Sequence, residues 1–441
     1  MISSSSFAKG WFILSLFVLA FGYGFVSHAW GLFPKTYVEQ AWRQARHVYD
    51  PPSHANVGDT IFERSGTRIT RFGEMQPGLT LLTSMWRDEG EWIPGLRLID
   101  SEGEVLHQWQ VDSEALFGGS GFKADPSRTD IHGSLLLENG DVILNLTYVG
   151  TARLDACGDV LWTLKEGGHH SISQGEDGTF WVTAVSPERK SNSENYPDGF
   201  PGLSDPVWMD RILHVSRKGK ILEDISVLDI LYRNDLERYI PKLGLGNPDV
   251  THLNDIEPLP GRMAEEYPLF EAGDLVLSLH HINLVLVVDP ESKEVKWHTT
   301  GPFILQHDPD FLGDGWIGIF DNNRDGRKGD MLGGSRVVAT QPHTDSTEVL
   351  FSPQKLERFY TPIRGKWQML ENGNMLLTES ESARVVEVTP DGNLVWEWIQ
   401  KPHNSKVPSV TKATRHDLTR EDVAAWSCSS VDSIRTSNQR Q

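Results

Sequence analysis

From residue 78 to about residue 400, apolar and polar positions alternate with a period of two over short runs that end at turns rich in Gly, Asn and Asp. That period marks half-buried β-strands, since amphipathic helices repeat their apolar positions every three to four residues. The runs group into six units, at 78–111, 132–164, 169–225, 252–299, 307–351 and 366–398. Each begins with a first strand and a turn such as "ENGD", "EDGT", "GDGW" or "ENGN", followed by a second and a third strand. A turn such as "DSEGE", "DACGD", "SRKGK", "DPESKE" or "TPDGN" then leads to a short fourth strand that often carries Trp (Trp109, Trp162, Trp297, Trp396). Four strands per repeated unit is the layout of a propeller blade, so the expected fold is all-β, a six-bladed β-propeller over 78–400. The tryptophans are expected to pack between blades. Insertions such as 186–209 and 231–251 lengthen the later units, and long insertions on one face commonly build a binding site.

The N-terminus follows another pattern. "WFILSLFVLAFGYGFVSHAWGLF", Trp11 to Phe33, carries no charge and has the length of a membrane-crossing helix. Because the apolar run passes Ala29 and leads into the helically spaced "KTYVEQAWRQARHV", an N-terminal transmembrane helix at 1–34 is expected in preference to a cleaved signal peptide. Residues 35–77 read as a helical or irregular linker, and 401–441 as a C-terminal tail without strong pattern.

Charge narrows the range of functions. With 41 Lys and Arg against 61 Asp and Glu, the formal net charge is −20, and there is no cationic surplus to release counterions from a nucleic-acid backbone. Nucleic acid is therefore not an expected partner. The two cysteines, Cys157 and Cys428, form no CxxC pair, and with one of them in a polar tail no disulfide is expected. P-loop, GxSxG and βαβ-type GxGxxG motifs are missing, which argues against nucleotide and acyl chemistry. "DNNRDGRKGD" begins like a calcium loop but has Leu332 where the bidentate Glu belongs, and reads as a polar loop.

Histidine is the candidate chemistry. His132, His170, His252 and His307 each stand at the start of a unit's first strand. First strands of a propeller line its central channel, so these imidazoles are expected to meet around one axis. Such a group can ligate a metal, hold an anion, or supply a nucleophile with neighbouring acids, and the pattern alone leaves all three open.

Several of these stretches, taken in order, resemble the bacterial arylsulfotransferase family. They are "HLNDIEPLP" with His252 and Asn254, "LVLSLHHINLVLVVDPESKEVKW", "QHD" at 306–308 and "IFDNNRDGR". The resemblance implies a periplasmic six-bladed propeller that moves a sulfuryl group from an aryl sulfate ester to a phenol, with no nucleotide donor and no cofactor or metal. By position, His307 matches the transiently sulfated nucleophile. His252 and Asn254 match the pair that holds the sulfuryl oxygens, His170 a further sulfate contact, and Thr378 a threonine of the last blade. Where the family has Arg-His this chain has His280-His281, so a fixed guanidinium gives way to an imidazole whose charge depends on pH. Asp308 is a candidate for orienting the ring of His307, or for capping a turn. The implied location is the bacterial inner membrane, single-pass, with the propeller in the periplasm. A propeller that binds an anion or glycan without chemistry is the alternative, and a quinone-dependent dehydrogenase ranks behind it.

Overall fold

The computed structural model describes residues 4–30, 56–88, 90–118, 129–203, 205–240 and 248–426. The chain divides into two units, residues 1–53 and 54–441. In the first, Ser4–Trp30 forms a helix whose described side chains include an exposed apolar run at 11–25. Among the described residues no helix is long and apolar enough to cross a membrane. The expected transmembrane helix at 1–34 is thus not found among the described residues, and its residues 31–34 lie outside them. The helical spacing at 37–48 lies outside the described residues.

The second unit is a six-bladed propeller. Blade 2 runs Ile131–Leu136, Val142–Leu146, Gly150–Leu154 and Val160–Leu164, each strand antiparallel to the last. Blade 3 (Gly168–Gln174 to Ile221–Ser226), blade 4 (Leu253–Pro258 to Val295–Thr299) and blade 5 (His307–Gly313 to Ser346–Phe351) repeat that meander. All six units read from the alternation are blades.

Ring closure is a finding that the alternation did not predict. The first strand of blade 1 is Lys412–His416, from the far end of the chain, paired with Leu79–Asp88. Blade 6 (Lys366–Met369 to Leu394–Ile399) gains a fifth, outer strand, Gly66–Ile69, from the N-terminal side. Val57–Asp59 also pairs with Lys406–Pro408. So the propeller extends past 78–400 at both ends, and the described parts of the expected linker and tail are structural. Beyond the last strand, the helix Arg420–Ala425 has a capping box at Thr419, and Trp426 packs against His107 and Trp109. Cys157 is disulfide-bonded, a second correction; Cys428, the other cysteine, lies outside the described residues.

The apolar core is divided among the blade interfaces. Six clusters of buried side chains each bridge one neighbouring pair, for example Val276, Val285 and Val287 of blade 4 against Ile317, Ile319 and Val338 of blade 5. Fourth-strand tryptophans fasten these interfaces. The indole N–H groups of Trp109, Trp162 and Trp396 donate to the carbonyls of Asp155, Arg217 and Ser101 at 3.2, 3.1 and 2.9 Å, each in the last turn of the next blade. Trp297 packs into the apolar cluster between blades 4 and 5. A close approach explains one turn glycine: a Cβ on Gly219 would sit 2.7 Å from the ring of Trp162. First strands of successive blades abut around the whole ring, which brings their starting residues to one end of the channel.

Candidate functional site

Four first strands begin with a break in register: Ile131/Gly133, Gly168/Ile172, Leu253/Asp255 and His307/Pro309. A β-bulge bends the strand and re-aims the side chains beside it. Three residues at these breaks hold left-handed backbone that non-glycine residues rarely adopt, His170 (φ 32°), His252 (φ 53°) and Asp308 (φ 50°). Gly133 lets the strands of blades 2 and 3 touch, since a Cβ there would lie 1.7 Å from the carbonyl oxygen of His170.

The bulges gather seven imidazoles into one chain of contacts. Ring centroids are 4.3 Å apart for His132 and His170, 4.9 Å for His169 and His170, and 4.7 Å for His170 and His252. From His252 the chain continues to His281 at 4.4 Å and His280 at 5.3 Å, and from His280 to His307 at 4.9 Å. The expected meeting of His132, His170, His252 and His307 is therefore observed, with His280 and His281 beside them. His169 is an addition that the sequence could have shown only by its place next to His170.

Three of the rings, His307, His252 and His281, are held from behind. His307 Nδ1 lies 2.6 Å from Asn322 Oδ1; with the proton on Nδ1, the ring's lone pair sits on Nε2. Asn322 is fixed in turn by donating to the carbonyls of Thr361 and Arg364 at 2.7 and 2.5 Å. His252 Nδ1 is 2.5 Å from Asp249 Oδ2, and His281 Nδ1 is 2.7 Å from the Asp249 carbonyl oxygen. Carbonyls freed by the blade 3 bulge are taken up by side chains: Asn145 donates to the His169 and Ser171 oxygens, and Thr183 to that of His169 at 2.6 Å. Behind this wall, Arg364 pairs with Asp130 at 3.2 Å and its charge acts on His132.

Burial separates the protonation states. It pulls His132, His170, His280 and His281 below the usual imidazole range, and lowers His307 to about 3 against the opposing bond from Asn322. His252 moves the other way: burial works against its charge, but the bond to Asp249 and the Asp249 charge outweigh it. The result is a neutral His307 close to a His252 that holds its proton more firmly than a free imidazole. Buried nitrogens without hydrogen-bond partners among the described residues are His132 Nε2, His169 Nε2 and both nitrogens of His280. Unsatisfied donors and acceptors at such density are costly unless a ligand meets them.

Two further expected residues, Asn254 and Thr378, each keep a buried side-chain oxygen without a hydrogen-bond partner among the described residues. Asn254 is buried and its amide donates to the Gln306 carbonyl at 2.9 Å, so it braces the backbone before His307. Thr378 lies on the second strand of blade 6, in register with Lys366, with no hydrogen-bond partner for its hydroxyl among the described residues. Asp308 does not touch His307; it takes Lys366 Nζ at 2.5 Å and the Trp367 N–H at 2.7 Å. Asp325, in the loop that began like a calcium site, spends its carboxylate on the backbone N–H groups of Arg327, Gly329, Met331 and Leu332. Asp249, Asn322 and Arg364 were missed because each comes from a loop without periodic pattern. Only Asn322 lay within a quoted motif, "IFDNNRDGR".

Among solved structures the chain is similar to a protein of unknown function from Bacteroides caccae, at 12% identity over 73% of this chain and 94% of that one, with a TM-score of 0.47. It is also similar to virginiamycin B lyase from Staphylococcus aureus, at 9% identity over 77% and 90%, with a TM-score of 0.39. No curated protein matches. The model of the arylsulfotransferase (ASST) family matches residues 133–401, from the blade 2 bulge through blade 6 and so across six of the seven histidines, His132 lying one residue before it. The chain belongs to the arylsulfotransferase family.

Proposed function

We propose that the protein transfers a sulfuryl group from an aryl sulfate ester to a phenolic acceptor through a sulfated His307. The observation that carries this reading is the state of His307: neutral, buried, with Nδ1 committed to Asn322 and flanked by His280. The Nε2 lone pair attacks sulfur, the S–O bond to the aryl group breaks, and the leaving phenolate takes a proton from His252. The acceptor phenol then returns a proton to His252 as its oxygen attacks sulfur, the N–S bond breaks and His307 is restored. His252, when it carries the proton that Asp249 favours, and the unsatisfied ring nitrogens supply the charge and donors that sulfuryl oxygens require. We place the protein in an oxidising compartment such as the periplasm, which the disulfide at Cys157 supports.

Mass analysis after incubation with an aryl sulfate tests the mechanism, and an added sulfuryl mass on the peptide containing His307 is the expected outcome. Turnover without that mass removes the nucleophile assignment. Ligand binding with no turnover at all favours the non-catalytic propeller.

A further inference from the structure

Three of the seven histidines are arranged differently from the rest. His252, His280 and His281 each present a ring nitrogen within 4.8 Å of the other two. His252 and His281 both use Nδ1 on a single residue, Asp249, one on its carboxylate and one on its carbonyl oxygen. With protons on those Nδ1 atoms, both lone pairs lie on Nε2. A carboxylate or carbonyl behind the ring is the arrangement that orients metal-bound histidine and raises its basicity. His280 completes the set: only 6% exposed, it has no hydrogen-bond partner for either nitrogen among the described residues.

The backbone fixes the three rings before any ligand arrives. His280 N donates to the His252 carbonyl at 3.1 Å, and His281 N to that of Thr251 at 3.2 Å. A tight turn at His280–Ile282, closed by left-handed Asn283 (φ 50°), sets the two adjacent histidines on one side of His252. Three neutral imidazoles suit a divalent transition metal, and Zn²⁺ takes three histidines with a fourth position open.

We infer that His252, His280 and His281 bind one divalent transition-metal cation, Zn²⁺ fitting best, with its open position taking an anionic oxygen in the pocket beside His307. The binding stands on these residues alone. Only the role of the open position rests on the sulfotransferase reading, where the cation replaces the proton on His252 as the positive charge facing the sulfuryl oxygens. It would then act as a Lewis acid on the sulfuryl group.

The test uses the full chain with any purification tag removed. Metal analysis after dialysis against Zn²⁺ is expected to give one equivalent per chain, and titration with Co²⁺ to produce the visible bands of a tetrahedral site, which inorganic sulfate then shifts. His280→Ala and His281→Ala should each abolish the bands. Asp249→Asn, which keeps the side chain's shape, should weaken affinity by about 10- to 100-fold. His307→Ala should keep the metal and lose sulfation, so failure of the transferase reading is seen separately from failure of the metal site. Absence of stoichiometric metal, or bands unchanged in both alanine variants with native circular dichroism, overturns the inference. Bands indifferent to sulfate overturn the role of the open position.

Discussion

First strands of blades 2 to 5 open with a bulge and carry histidine at or beside it, whereas those of blades 6 and 1 keep unbroken register and carry Lys366 and Lys412. Lys366 is buried and Lys412 half-buried, close to the carboxylates of Asp255, Glu257, Asp308 and Asp310. Lys366 Nζ bridges Asp255 and Asp308 at 3.1 and 2.5 Å. Burial and these neighbours drive Asp310 well above the carboxylate range and Glu257 to about 8. One part of the ring thus spends backbone regularity to aim side chains, and the other spends charge to hold blades 4, 5 and 6 together. Strain and unsatisfied nitrogens collect where chemistry is proposed, and paired charges where the ring must close.

Substitutions that separate these two purposes should show it. The largest effect is expected for His307→Ala, a loss on the order of 10⁴-fold in aryl sulfate turnover with an unchanged unfolding midpoint, measured by phenol release and urea denaturation. Lys366→Met should do the reverse. It strands two buried carboxylates and is expected to cost about 3–5 kcal/mol of stability, read as a lower denaturation midpoint. Equal effects of both variants on stability would dissolve the contrast between the blades.

Asp249→Asn acts within the histidine arm. In the metal-free wild-type protein His252 has a raised pKa, so its proton is held below that value and lost as pH rises through it, and turnover should fall on that alkaline limb. Removing the carboxylate lowers the His252 pKa and moves the limb to lower pH; a pH–rate profile with an unmoved limb would contradict the assigned donor. Trp162→Phe is the smallest: it removes the hydrogen bond to the Arg217 carbonyl, costing about 1 kcal/mol by denaturation, with turnover unaffected.

The six blades were legible because each is a local meander, with strands joined by short turns whose residues declare themselves. So were His132, His170, His252 and His307, since the start of a first strand is a repeatable place. Pairings across the chain were not. Nothing in "KATRH" marks it as the missing strand of blade 1, and a five-residue segment has no period of its own. Bulges hid the contacts of neighbours: an extra residue shifts the alternation, so the bond from the Asn254 amide to the Gln306 carbonyl could not be read from the pattern. Asp249 and Arg364 act through proximity in space, and Thr378 sits one strand back from the channel lining.

Because Lys412–His416 completes blade 1, a strand made after all six blade meanders sits beside Leu79–Asp88, one of the earliest. Blades 2 to 5 can form in order during synthesis, yet the circle stays open until that strand arrives. A nascent or truncated chain carries every histidine of the pocket and still lacks the enclosure that desolvates them. Desolvation of the imidazoles therefore waits on the arrival of that strand.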